Sequence, residues 1–217
     1  MAGDLPLVTL VAAATLDGVI APVPVGSPLD RRRLLELRAR HDASVIGAST
    51  LREADPRLLC PGRRRLRCLV TASGRILVEG KGFFSQPDRP VVFTSREGLE
   101  RVRRAVGSRA LAVAVGRVGP ALDWRDILAW LGRRGVRTLL LEGGGVANGT
   151  ALAQGVVDGL EITLVPRLAA AAGEGRPRLF SWSLAGGGTG EMGLRLLEAL
   201  PQPTGELFLR YEVRKEA

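Results

Sequence analysis

Histidine, cysteine, lysine and aromatic residues are all scarce in this 217-residue chain, and each shortage removes a class of function. One histidine, His41, and two cysteines, Cys60 and Cys68, separated by seven residues, supply neither a disulfide framework nor the paired ligands of a zinc site. Both thiols read as inert, and no metal is expected. Aromatics make up 4% of the chain and do not interleave with its basic clusters, so the stacking platforms of single-strand nucleic-acid proteins are missing. Lysine occurs only at Lys81 and Lys215, so arginine supplies 29 of the 31 basic residues, and the net charge of +9 reflects arginine-rich coding as much as an acidic partner. No apolar run approaches the roughly 20 residues that cross a bilayer. The start Met1-Ala-Gly-Asp-Leu-Pro lacks the basic and apolar stretches of a signal peptide. A cytoplasmic protein with no membrane and no nucleic-acid partner is expected. A Walker-type ATPase is disfavoured too, because no G-x-x-x-x-G-K-[ST] run occurs.

What is present is enough apolar sequence, 46%, to bury one sizeable core, so residues 1–217 are expected to form a single domain. Near-continuous apolar runs of strand length recur at Val8 to Ala14, Ala43 to Ile46, Leu66 to Val70, Pro90 to Phe93, Leu111 to Val115 and Thr138 to Leu141. Runs of this kind belong to strands covered on both faces of a mostly parallel sheet. Between them, Leu29 to His41 places Leu34, Leu35 and Leu37 on one side, and Asp123 to Arg134 does the same with Ile127, Leu128 and Leu131. Both predict amphipathic helices, with Asp30 and Asp123 near their starts where a carboxylate favours the dipole. After Thr150 the pattern changes. Leu160 to Val165, Leu194 to Ala199 and Leu207 to Val213 look like strands without long intervening helices, and predict antiparallel additions to the sheet. Ala169 to Gly175 and Ala185 to Gly190 read as mobile surface loops, and no internal repeat stands out.

The segment Thr138-Leu-Leu-Leu-Glu142-Gly-Gly-Gly-Val-Ala-Asn148-Gly-Thr150 carries most of the functional information. A strand that stops at a glycine loop and passes into a helix presents free backbone N–H groups and the positive end of a dipole, a usual way to hold a phosphate or pyrophosphate. The spacing of Gly143, Gly145 and Asn148 is G-x-G-x-x-N, one residue short of the Rossmann fingerprint, and three glycines also serve an ordinary tight turn. Two basic clusters, Arg31-Arg32-Arg33 and Arg63-Arg64-Arg65-Leu66-Arg67, fit either a solvated face or an anionic substrate. Thr15-Leu-Asp17-Gly18 places a hydroxyl and a carboxylate at a strand end, and Gly47-Ala-Ser-Thr50 precedes Asp55-Pro56-Arg57-Leu58.

Together and in this order, these pieces resemble the reductase domain of bacterial riboflavin biosynthesis, the C-terminal half of the bifunctional deaminase-reductase, and its stand-alone relatives. The likeness runs from about Val8 to Tyr211. It rests on Thr15-Leu-Asp17-Gly18, on Leu37-Arg38-Ala39-Arg40-His41-Asp42-Ala43, on Gly47 to Leu58, and on Glu142 to Leu160 with Gln154-Gly-Val-Val-Asp158 in place; Leu164-Val165-Pro166 closes the following strand. The resemblance implies a three-layer dihydrofolate-reductase-like α/β fold, NADPH as cofactor, a phosphorylated pyrimidine as substrate and a homodimer. Carried over by position, Ala14, Thr50, Gly144, Gly145, Val146, Ala147, Asn148, Gly149 and Thr150 would contact the dinucleotide, with Thr71 or Ser73 at the adenosine ribose. Arg38, Leu58 and Glu142 would hold the pyrimidine, and Arg63 or Arg64 its phosphate. Glu142 and Asp17 are the expected catalytic carboxylates, Glu142 orienting the ring and Asp17 assisting proton movement or organising the pocket.

Three departures stand out: Ala54 replaces an acidic residue common in relatives, Arg167 to Gly175 replaces an apolar closure, and Gly26-Ser27-Pro28 replaces a longer segment. With one histidine and no closely paired cysteines, these 217 residues are not expected to include a zinc deaminase half. The reaction implied is NADPH-dependent reduction of a ribosylamino side chain to ribitylamino, by hydride addition at C1′ of the opened sugar imine. Reduction of dihydrofolate or another pteridine is the alternative on the same scaffold. A noncatalytic nucleotide-binding protein and a basic nucleic-acid-binding module stand further off.

Overall fold

The computed structural model describes residues 5–20, 26–58, 65–169, 177–182 and 191–214. Each apolar run singled out above forms a strand: β1 (Leu7–Thr15), β2 (Ala43–Gly47), β3 (Leu66–Thr71), β4 (Val91–Thr94), β5 (Leu111–Ala114), β8 (Thr138–Leu141), β9 (Gly159–Val165), β10 (Leu194–Pro201) and β11 (Leu207–Val213), with a two-residue hairpin, β6 (Arg117–Val118) and β7 (Ala121–Leu122), standing apart. The sheet order is β10-β11-β9-β1-β8-β2-β3-β4-β5. The strands from β9 through β5 pair in parallel, and β11 and β10 extend the β9 edge antiparallel, as the change of pattern after Thr150 predicts for those two; β9 itself, expected among the antiparallel additions, runs parallel to β1.

Alternation along the central strands divides the core between the two faces. Val45, Cys68, Val70, Val91, Phe93, Leu139 and Leu141 pack in one cluster with Trp124, Ile127, Leu128 and Leu131. Ile46, Leu69 and Val92 point the other way, against Leu51, Val102 and Val106. Burial pushes the Cys68 thiol far up, in keeping with an inert group, whereas Cys60 lies outside the described residues.

The first predicted helix is α1 (Pro28–Arg40). Ser27 caps it by accepting from the amides of Leu29 (3.1 Å) and Asp30 (3.3 Å), Pro28 fills the first turn, and His41 ends it with Nδ1 donating to the Leu37 carbonyl at 2.7 Å. Of its four leucines only Leu37 is buried; Leu35 faces solvent. The second predicted helix is α4 (Trp124–Gly132), capped by Asp123 on the Arg125 amide at 2.8 Å. Helices α2 (Ala48–Ala54) and α3 (Leu99–Val106) were not anticipated, and α5 (Gly145–Ala153) follows the glycine loop. β5 differs from its expected interior position: it is an edge strand, and Leu111 is exposed. Most of the expected loops at 169–175 and 185–190 lie outside the described residues. Among those described, no helix is long and apolar enough to cross a membrane.

In its described part, Arg65 and Arg67, the second arginine cluster is neither a solvated face nor a ligand site. Arg65 is buried and donates to the His41 carbonyl (2.7 Å) and to Ser44 Oγ (2.8 Å). Arg67 is buried as well, donating to the carbonyls of Phe83 and Asp88 and lying over the Phe83 ring. Replacing Arg67 with Ala strands these carbonyls without a donor, and should cost on the order of 2–3 kcal/mol. Urea unfolding reads this directly, and an unchanged midpoint would refute the tethering role.

Candidate active site

The cavity exists because β8 stops short. Leu10 is the last β1 residue paired with β8, yet β1 runs on to Thr15 beside β9; on the other side β2 runs to Gly47 after its last partner, Leu141. The sheet therefore splits beyond Leu141. Gly143 crosses part of the gap, its carbonyl accepting from the Gly47 amide (3.0 Å) and from Thr50 Oγ1 (3.1 Å). The remaining space is a cavity of about 930 Å³ lined by β1 from Val11 to Ala13, the glycine loop, α1, α2 and residues 177–182. That volume is typical of a small-molecule site.

Gly144 caps α5 at φ 95°, a conformation that L side chains rarely adopt, and a Cβ there would press on Thr50 Oγ1 at 2.9 Å. The amides of Gly145, Val146 and Ala147 occupy the first helical turn, which has no intrahelical acceptors for them. Asn148 is fully buried; its Nδ2 donates to the Leu179 carbonyl (2.9 Å), and its Oδ1 has no partner among the described residues.

Glu142 stands at the point where β8 ends and lines the cavity. Arg38 reaches it from α1, Nε donating at 3.0 and 3.1 Å to the two carboxylate oxygens and Nη2 to Oε2 at 2.6 Å. The two side chains are only 12% and 5% exposed, so this is a buried ion pair.

Of the residues singled out in the sequence, Thr50, Glu142, Gly144, Gly145, Val146 and Asn148 come together on the cavity. Ala147, Gly149 and Thr150 lie deeper in α5, where Thr150 Oγ1 accepts from Trp124 Nε1 (3.1 Å) and donates to the Ala147 carbonyl (3.2 Å). Ala14 is buried in β1 and Leu58 in the core of the other face. Thr71 ends β3 and Ser73 lies in the turn that follows, Thr71 donating to the Arg75 carbonyl and Ser73 accepting from the Arg75 amide. None of Ala14, Leu58, Thr71, Ser73 or Asp17 lines the cavity. Arg63 and Arg64 lie outside the described residues.

Asp17 is exposed in the turn after β1, accepting from the Ala169 amide at 3.0 Å. Hydrogen bonds from Thr15 and the Ala169 amide, with Arg178 nearby, hold its carboxyl below the usual aspartate range. These are the contacts of a turn, and they favour a carboxylate over an acid. Arg31, from the first arginine cluster that the sequence offered for an anionic substrate, lines the cavity; the sequence reading did not assign to the site Asp30 and Leu34 of α1, Ser49 and Glu53 of α2, or Arg178 and Phe180 from residues 177–182, all of which line it too. Asp30 carried a visible signal as a helix-start carboxylate, but no periodicity marks the 177–182 segment.

Motif residues away from the cavity turn out to be ties. Asp42 accepts from the amides of Arg137 (2.9 Å) and Thr138 (3.0 Å), Asp158 from the Val8 amide (2.7 Å), and Gln154 from the Trp124 amide (2.8 Å).

A dihydrofolate reductase from Enterococcus faecalis superposes on this chain with a TM-score of 0.53 at 15% identity, over 96% of this chain and 97% of its own. A pyrimidine reductase-like protein from Corynebacterium diphtheriae does so with a TM-score of 0.80 at 23% identity, over 97% and 93%. The fold is thus of the dihydrofolate-reductase-like α/β class. Sequence narrows the class further. The model of the RibD C-terminal domain matches residues 6–184, and the chain belongs to that family. A 2,5-diamino-6-ribosylamino-4(3H)-pyrimidinone 5′-phosphate reductase from Methanothermobacter thermautotrophicus is 31% identical over 173 residues, covering 75% of this chain and 79% of its own.

Removing one partner of the Arg38–Glu142 pair leaves an uncompensated buried charge. Arg38→Met should therefore destabilise the protein by about 3–5 kcal/mol. The double variant Arg38→Met/Glu142→Gln should recover part of that loss in the same denaturation experiment. A single variant as stable as the parent would show that the pair is not a structural tie.

Proposed function

We propose that this protein is a pyrimidine reductase of riboflavin biosynthesis, reducing the ribosylamino side chain of a phosphorylated aminopyrimidine to ribitylamino with NADPH. The observation that carries the reading is the meeting of the α5 N-terminus with Glu142 in one cavity, within a chain of the RibD C-terminal domain family. The name of the Methanothermobacter relative favours the diaminopyrimidinone over its deaminated form as substrate.

The residues fit a dinucleotide. Gly144 leaves open the approach to the first-turn amides of Gly145, Val146 and Ala147, where a helix N-terminus favours pyrophosphate, and the buried Asn148 Oδ1 offers an acceptor nearby. Bound there, the reduced nicotinamide supplies the hydride, so the protein's task is binding and orientation. Glu142, its position fixed by Arg38, accepts from the amino and ring N–H groups of the pyrimidine. Arg38 is committed to Glu142; Arg31 and Arg178, which line the cavity, take the role of meeting the 5′-phosphate.

The homodimer expected from the family finds support in β10, where Leu194, Leu196, Leu197 and Leu200 are all about half exposed at the sheet edge. A single-domain cytoplasmic enzyme completes the proposal.

The purified protein should oxidise NADPH with the phosphorylated diaminopyrimidine and not with dihydrofolate, followed by loss of reduced-nicotinamide absorbance. Glu142→Gln should lower kcat by about 100-fold while leaving NADPH affinity within about twofold, as measured by fluorescence titration. Oxidation with dihydrofolate alone would overturn the substrate, and an unchanged kcat would remove Glu142 from its role.

A further inference from the structure

The reaction proposed above consumes a proton, and neither expected catalytic carboxylate is placed to give one. Glu142 has both oxygens engaged by the Arg38 guanidinium, and Asp17 lies in a turn off the cavity. Asp30 differs from both. It projects from the first turn of α1 and lines the same cavity as Glu142 and the glycine loop. Gly26 is packed so closely against its carboxyl group that a Cβ there would overlap Oδ2, so the group has little freedom to turn away.

Resting on the reading above, we propose that Asp30 is the proton donor of the site, delivering its acid proton to the sugar ring oxygen of the ribosylaminopyrimidine. The C1′–O4′ bond breaks and its electron pair goes to O4′, which takes the Asp30 proton. The amino nitrogen's lone pair completes a C1′=N bond. Hydride from the reduced nicotinamide then adds to C1′, and the π pair returns to nitrogen, leaving the ribitylamino chain, oxidised nicotinamide and an Asp30 carboxylate that regains its proton from solvent. The balance is one hydride and one proton consumed per turnover.

The charges around Asp30 suit the task. Burial pushes its carboxyl above the usual aspartate range; the nearby carboxylate of Glu206 adds to this, while the Thr163 hydrogen bond and the Arg33 charge pull the other way. Glu206 is buried and tied down, accepting from the Ser27 amide at 2.7 Å, from Ser27 Oγ and from Thr204 Oγ1 at 3.0 Å. Arg33 is occupied by Glu161, Thr163 and the carbonyls of Ile162 and Leu209. The helix N-terminus opposes the acid form, as do Arg31 and Arg178 on the cavity wall, whereas Glu53 and Glu142 favour it. Because the acid form is the active one, turnover should decline as pH rises through this ionisation.

The test is the pH profile of kcat for the full-length protein with NADPH and the phosphorylated diaminopyrimidine. Wild type should show the alkaline decline. Asp30→Asn should lose it along with about 100-fold of kcat while keeping NADPH affinity within about twofold, and Asp30→Glu should restore the decline and part of the rate. Carbon-13 NMR titration of the assigned Asp30 carboxyl in the ligand-free wild type, which needs neither a variant nor turnover, should give a midpoint above the ordinary value of about 3.9. An Asp30→Asn enzyme with wild-type rate and profile, or a midpoint at or below the ordinary value, overturns the donor assignment and leaves the substrate reading intact. A wild type that turns over no ribosylaminopyrimidine overturns both.

Discussion

Everything at this site follows from β8 ending at Leu141 between two longer parallel neighbours. A parallel sheet has no hairpins at its strand ends, so a short strand in its interior leaves a cleft where its neighbours continue. Here the cleft exposes the flank of β1 from Val11 to Ala13 and the start of α2, and the chain leaving β8 must turn within it. Gly143 and Gly144, both at positive φ, make that turn, and α5 begins with its amides at the opening. Glu142 is then the last side chain before the turn, placed on the cavity by the strand rather than by a loop.

The ion pair with Arg38 joins this strand end to the helix layer. Two buried charges repay their desolvation only with good geometry, and three N–H···O contacts to one carboxylate supply it. Because α1 also brings Asp30, Arg31 and Leu34 to the cavity, the pair fixes the spacing between the wall they form and the glycine loop. Arginine serves similarly elsewhere. Arg33, Arg65 and Arg67 each bond several carbonyl or hydroxyl groups on neighbouring segments, a use for which the five-donor guanidinium is suited and lysine is not. Part of the large positive charge is therefore internal fastening.

The strands were legible because buried parallel strands are written as near-continuous apolar runs, Leu66 to Val70 broken only by Arg67 and Thr138 to Leu141 opening on a single polar residue. Exposure was not legible: Leu111 lies in such a run yet sits on an edge strand, since a run does not record whether a neighbour exists on each side. Helices α2 and α3, at seven and eight residues, are shorter than the window that helical periodicity needs. For the site, the glycine loop and Glu142 could be found because a strand-turn-helix transition has a local signature. Asp30 could be seen only as a helix-start carboxylate, because what raises it is the burial that tertiary packing brings and, to a lesser degree, the charge of Glu206, far along the chain.

The departure from the Rossmann spacing has a physical reason of its own. In that fingerprint the third glycine permits close packing of the helix, and here Asn148 occupies its place. The close approach has moved one residue on. A Cβ at Gly149 would overlap the Ser181 carbonyl oxygen, and one at Gly145 would overlap that of Arg178, so the two glycines accommodate residues 177–182 rather than a neighbouring strand. That segment is held by the Ser181 amide on the Gly145 carbonyl (2.9 Å), by Asn148 Nδ2 on Leu179, and by the Leu179 amide on the Gly18 carbonyl (2.9 Å). It ties the turn after β1 to the start of α5 and presents Arg178 and Phe180 to the cavity. Asn148 is therefore needed where a glycine stands in the other fold: a side-chain amide replaces bare backbone contact, and the loop's other two glycines, Gly143 and Gly144, face the cavity.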